Sequence, residues 1–248
     1  MSFALDGPFG ERSVRFWGDV PPRPDPPVET ALAVALLPAM TAGEELSLPG
    51  PLSPQVLRAL PDVQAVLVSL ASASSTASRP LRTVDVIAPA AASDARPAPA
   101  RESPRGVGAF FSGGVDSWAT LLANPDVTDL IYVHGFDIPI DQPETSASVE
   151  RRLAESARNL GKRLHVVRTD LRALLDPSVS WEIAHGSALA AVALLFEHRC
   201  ERVLVGAGMS YGSLFNRGSH PLLDHLWSTE GCRIEHHGAH LTRAAKIR

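Results

Sequence analysis

The chain has 248 residues, 45% hydrophobic and 20% charged, enough for one large core or two modest ones. Its formal net charge of −4 gives no global basic field to favour nucleic acid. The two cysteines, Cys200 and Cys232, are far apart, which argues against a disulfide framework or a cysteine zinc site. The longest apolar runs, at 31–40 and 187–196, fall short of the about 20 residues a bilayer requires. No charged region precedes an apolar core at the N-terminus, so no signal peptide is expected.

The first segment, residues 1–90, reads as a small α/β domain. A strand is predicted at 13–20, and a helix at 28–43 closed by Gly43. A strand follows at 44–50, then a helix at 53–71 broken at Pro61, then a strand at 81–90. No chemistry-bearing cluster stands out here. The Ala-, Pro-, Ser- and Arg-rich stretch that follows reads as an extended linker, residues 91–105.

The second segment, 106–248, alternates strand and helix. Strands are predicted at 106–113, 129–136, 163–169 and 202–209, with helices at 116–125 and 145–161 and another within 180–200. Uniformly apolar strands separated by helices imply a doubly wound parallel sheet, so the fold class is α/β. Ligands in such sheets bind at the carboxyl edge of the strands, at the switch point.

One strand-to-helix junction there reads "AFFSGGVDSWATLL", residues 109–122. Gly113 and Gly114 allow a sharp turn and close approach to a ligand. Ser112 and Ser117 offer hydroxyls, and Asp116 stands where a helix begins. That helix start presents unpaired amides and partial positive charge, which suits phosphate. Neither the Walker pattern nor the dinucleotide GxGxxG pattern fits this loop.

The residues Ser112, Gly113, Gly114, Asp116 and Ser117 match SGGxDS, and the chain resembles the N-type ATP pyrophosphatases. The resemblance covers most of 106–248 and implies a sheet of the adenine nucleotide alpha hydrolase-like kind. It implies cleavage of ATP to AMP and pyrophosphate with Mg²⁺, adenylation of a carbonyl or carboxylate oxygen of a small molecule, and displacement of AMP by a nucleophile. It also implies that these five residues hold the pyrophosphate portion, that Asp116 helps organise Mg²⁺, and that 133–137 lies near adenine and ribose.

Further candidates follow from their place in the strand order. His134, Gly135 and Asp137 end one strand. Asp170 ends another and could bind metal or ribose, or cap the next helix. His185 and Gly186 open the long helix, and Gly206, Gly208, Ser210 and Tyr211 follow the last predicted strand. Arg217, Ser219, His220 and Asp224 lie in an expected ordered loop at 216–228. Arg243 and Lys246, three apart on an expected helix, could neutralise the leaving pyrophosphate. His236, His237 and His240 do not have a helical metal-ligand spacing.

The leading expectation is a cytoplasmic, AMP-forming ligase acting on a small molecule with a nitrogen nucleophile. A sulfur-transferring enzyme acting on a nucleobase or tRNA, with Cys232 as sulfur carrier, is the alternative; a non-catalytic nucleotide-binding module is a third. A separate amine or sulfur donor protein and a second copy of the chain are the partners left open; no membrane is expected, and nucleic acid is disfavoured.

Overall fold

The computed structural model describes residues 1–7, 10–22, 27–74, 80–90, 105–177 and 179–248. The expected linker, but for Arg105, lies outside the described residues.

Seven strands form one central sheet. In chain order its strands are β1 (Ser2–Leu5), β2 (Arg12–Gly18), β5 (Gly106–Phe110), β6 (Val127–His134), β7 (Arg163–Thr169), β8 (Cys200–Gly206) and β9 (Arg233–His237). Across the sheet the order is β1-β2-β7-β6-β5-β8-β9. The strands from β7 to β9 are mutually parallel, while β1 and β2 run antiparallel at one side. The chain is therefore an α/β protein with a mostly parallel sheet, consistent with a Rossmann-like fold. Because the chain lays β6 and β7 on one side of β5 and β8 and β9 on the other, the switch point lies between β5 and β8.

Helices cover both faces. On one side lie α3 (Val115–Ala123) and α4 (Pro143–Asn159), packed on Ala109, Phe111, Leu130, Tyr132 and Leu204. The alternate strand residues Phe110, Ile131, Val133, Val203 and Val205 enter the larger core beneath α6 (Trp181–Leu195). Helix α6 is apolar around nearly its whole circumference because α1 (Val28–Ala42) packs over it, and α1 is buried in the same way. The short α5 (Leu171–Leu175) joins this layer.

The N-terminal segment thus joins the sheet and core of the second segment. Phe16 pairs with Thr169 across the β2–β7 ladder, and Phe3 meets Phe16 edge-on at 5.9 Å. A separate two-stranded parallel sheet is formed by β3 (Leu46–Ser47) and β4 (Val86–Ile87).

Several expected boundaries shift for local reasons. Gly43 does close α1, at φ 72°. Pro61 does not break α2 (Pro54–Ser72): it sits on the exposed side, where the Leu57 carbonyl it leaves unpaired faces water. The strand expected at 81–90 contracts to two residues. Before it, the Gln64 side chain bonds both the N–H and the carbonyl of Val84, at 2.8 and 3.1 Å, and stands in for a ladder partner. Strands β1 and β9 were not expected at all.

At the amino edge of the sheet, Asp129 is fully buried and gathers four donors. Arg163 reaches it at 3.0 and 2.8 Å, His165 at 2.7 Å, Arg199 at 2.6 Å and the Thr128 hydroxyl at 2.6 Å. Burial opposes ionisation, but these hydrogen bonds outweigh it and hold the carboxyl well below the usual carboxylate range. A carboxyl depressed in this way stabilises the fold above the unfolded-state value and loses that effect as pH falls toward the folded-state value. Asp129→Asn should therefore destabilise the protein by about 3 kcal/mol at neutral pH. In urea unfolding, the gap between wild type and variant should hold from pH 7 to 4 and narrow below that. A gap that widens on acidification would refute the assignment.

Candidate functional site

The loop that leaves β5 enters α3 at the switch point. Gly113 adopts φ 77°, a left-handed conformation that favours glycine, and a Cβ there would stand 2.9 Å from Leu153 Cδ2. Gly114 is the N-cap of α3, and no side chain caps the helix there. Its own geometry is ordinary, with φ −79° and only a normal van der Waals contact, 3.5 Å to Ser112 Oγ, awaiting a Cβ. The steric demand of the loop thus falls on Gly113 rather than on both glycines. The Ser117 hydroxyl donates to the Gly114 carbonyl at 2.8 Å and locks the first turn.

Asp116, also in that first turn, accepts from Lys246 Nζ at 2.9 Å. Lys246 lies on α7 (Arg243–Ile247), which packs against α3. Its side chain is only 3% exposed and also donates to the Ala207 carbonyl, so one ammonium joins the loops that follow β5 and β8. Asp116 itself lines the cavity in front of it, whereas Lys246 stands behind Asp116. Arg243 is exposed at the start of α7, away from this cavity.

The cavity measures about 480 Å³. Ser112, Asp116, Ser117 and Gly206 form one end. A Cβ on Gly206 would stand 3.0 Å from the Asp116 carbonyl oxygen, so the start of α3 packs tightly against the end of β8. Trp181, Glu182, His185, Arg217 and Ser219 form the other end, with Ile131, Val133 and Phe136 along the wall. The His185 ring sits edge-on to Trp181 at 5.3 Å and to Phe136 at 6.3 Å. Burial lowers its pKa, with Arg217 and Arg172 acting in the same direction and Asp137 and Asp224 opposing.

The first turn of α6 and the loop at 216–219 meet backbone to backbone. Gly218 N donates to the Glu182 carbonyl at 2.7 Å, and a Cβ on Gly186 would lie 1.8 Å from the Gly218 oxygen. Behind this contact, buried Asp224 accepts from the Ser219 hydroxyl at 2.9 Å and from the His220 N–H at 3.1 Å, and lies 2.7 Å from His236 Nδ1. His220 and Asp224, expected as substrate contacts, are instead the scaffold that fixes Ser219 and, through the loop, Arg217.

Other candidates take structural places. His134 is buried with Nε2 3.0 Å from the Pro139 carbonyl, and Gly135 makes the turn at φ 111° with its N–H bonded to Ile138. Neither lines the cavity, although the next two residues, Phe136 and Asp137, do. Asp170 neither caps α5 nor faces the cavity. It accepts from the Arg15 N–H at 2.7 Å and Arg15 Nε at 2.9 Å and ties β2 to the end of β7. Sequence reasoning missed the aromatic wall of Phe136 and Trp181; the available signal was an aromatic beside each candidate histidine, in "HGF" and "WEIAH".

No group of three or more His, Cys, Asp or Glu side chains among the described residues could hold a metal alone. A nucleotide-borne Mg²⁺ needs only one or two carboxylates beside phosphate oxygens, and Asp116, which lines the cavity beside the glycine loop, fits that requirement. Cys200 and Cys232 are both buried. Burial pushes the Cys200 thiol up to about 12 and the Cys232 thiol up as well, so neither is a thiolate at neutral pH. No helix among the described residues is long and apolar enough to cross a membrane. Comparison with protein-family models, curated proteins and solved structures finds no match to the chain.

The two glycines of the loop should separate on substitution. Gly113→Ala should lose about 1–2 kcal/mol from the left-handed conformation alone, and more from the Leu153 contact. Gly114→Ala should leave the thermal midpoint within about 2 °C of wild type, since it falls in the near-neutral class of substitutions. Equal midpoints for the two variants would contradict this loop geometry.

Proposed function

We propose that the chain is an AMP-forming enzyme that binds ATP at the SGGVDS loop, adenylates a carbonyl or carboxylate of a small molecule and releases pyrophosphate for attack by a nitrogen nucleophile. One observation carries the reading: the loop sits at the switch point with the α3 amides uncapped by any side chain and Asp116 held by a buried lysine, and it opens into a cavity with room beyond the phosphates. The sheet order is compatible with the adenine nucleotide alpha hydrolase-like arrangement that this reading places it in, and the enzyme is proposed to work in the cytoplasm.

Each residue then has a task. Gly113 brings the backbone close to phosphate, and Ser112 and Ser117 border the phosphates beside the first-turn amides. Lys246 orients Asp116 and adds positive charge behind the site as negative charge builds on the leaving group. Mg²⁺, when bound with the nucleotide, neutralises phosphate charge, and Asp116 is the residue that would hold it. The apolar wall of Ile131, Val133 and Phe136 would accept the base. The far end, with Trp181, His185 and Arg217, is left for the acceptor.

A sulfur-transfer reading would need a nucleophilic cysteine at this edge. Cys200 begins β8 at the opposite edge, and both thiols are buried and protonated.

Calorimetry with Mg²⁺ and a non-hydrolysable ATP analogue should show binding, and a panel of small carboxylic acids should include at least one that drives exchange of labelled pyrophosphate into ATP. Asp116→Asn should lower that exchange a hundredfold or more, with unchanged circular dichroism. Binding without exchange would favour a nucleotide-binding module, and absence of binding would end the proposal. The Cys200→Ala, Cys232→Ala double variant should keep wild-type turnover; lost turnover in a folded double variant would restore the sulfur-transfer reading.

A further inference from the structure

The end of the cavity away from the phosphate loop holds a titratable ring with no assigned task. His185 lines the cavity on the first turns of α6, and its imidazole makes no hydrogen bond to a described residue. Three other histidines of this half of the chain each have one ring nitrogen occupied. His134 Nε2 lies against the Pro139 carbonyl, His236 Nδ1 against Asp224, and His220 Nδ1 accepts from the Leu222 N–H. The ring position is fixed from three sides: edge contacts to Trp181 and Phe136, and the Gly186–Gly218 backbone contact one residue along.

Resting on the function proposed above, we propose that His185 is the catalytic base of the bond-forming half-reaction. The nitrogen nucleophile attacks the adenylated carbon with its lone pair, and the new C–N bond forms. The N–H proton passes to the unprotonated ring nitrogen of His185. The C–O bond to AMP breaks, and its electron pair leaves on the phosphate oxygen. The ring then returns the proton to water through the open cavity.

The surroundings fit that task. A base must be unprotonated at working pH and within reach of the proton it takes. Asp137 beyond β6 and Asp224 in the loop after β8 favour the imidazolium; Arg217 in that loop and Arg172 on α5 oppose it. Burial adds to the arginines, so the ring is neutral at pH 7. Among the other lining groups, Asp116 is paired with Lys246 and already assigned to Mg²⁺, and burial pushes the Tyr132 phenol up, which makes it a proton donor rather than an acceptor. Asp137 and Glu182 are carboxylates, a class about two pH units weaker as bases than imidazole.

The test uses the full chain with the acid that scores in pyrophosphate exchange and an amine that yields product with it. His185→Gln should exchange pyrophosphate within about threefold of wild type, since adenylation does not use the base, while product formation falls a hundredfold or more. In wild type, with an amine that is itself unprotonated across the range, product formation should rise with pH through a value below 6.5 and stay flat above it; the variant should lack that limb. A variant that makes product at the wild-type rate, or loses exchange and product formation together, overturns the assignment. Wild type that exchanges with no acid overturns the underlying reading instead, a distinguishable result. A reading free of turnover is carbethoxylation with diethyl pyrocarbonate at pH 7, mapped by mass spectrometry. His185 should be modified along with exposed His225, while His236 resists. An unmodified His185 beside modified His225 would also overturn the proposal.

Discussion

Everything at the candidate site depends on β5 being hydrogen-bonded on both edges. Its neighbours, β6 and β8, are reached by chain segments that depart in opposite directions. The loops at their carboxyl ends therefore diverge, and the divergence is the crevice. The apolar strand Gly106–Phe110 delivers Ser112 and Gly113 to that crevice, while α3 must turn back over Ala109 and Phe111 to bury its own apolar side. An anion-friendly helix end, backed by a lysine from elsewhere in the chain, follows from a packing requirement as much as from any chemical one.

The second half of the site is mounted on α6, with Phe136 beyond β6 packed against its first turns. That helix is buried on both sides, under the sheet and under α1, so it cannot tilt without disturbing the larger core. Its opening turn carries Trp181 and His185 into the cavity. The contact between Gly186 and Gly218 then sets the height of the loop that bears Arg217 and Ser219. The N-terminal segment is thus coupled to the Trp181–His185 end of the cavity by two layers of apolar packing.

The parallel strands, the helices between them and the glycine loop between β5 and α3 were legible because each leaves a local mark: apolar runs, a glycine pair, a serine before a helix. Lys246 was legible as one of two cations, with Arg243, on an expected C-terminal helix. Its pairing with Asp116, 130 residues earlier, was not, because nothing local encodes it. Asp170 was read as a site residue because it ends a strand at the right edge, but Arg15 arrives from a strand whose pairing with β7 is antiparallel and long-range. Strand β9 escaped because its "RIEHH" pattern puts His and Glu where a strand at the sheet edge needs only one apolar residue, Ile234. His134 and His185 looked alike in sequence; a loop carbonyl at the first and open cavity at the second separate them.

The Asp129 cluster lies at the far end of the same strands. Its four donors come from Thr128, the start of β7 and the turn before β8, so it fixes strand alignment from the edge that carries no candidate chemistry. Cohesion and reactivity are thereby housed at opposite ends of one sheet. Under selection the two can drift apart: loops at the carboxyl edge are free to vary while the ionic knot at the other edge preserves the frame they are mounted on.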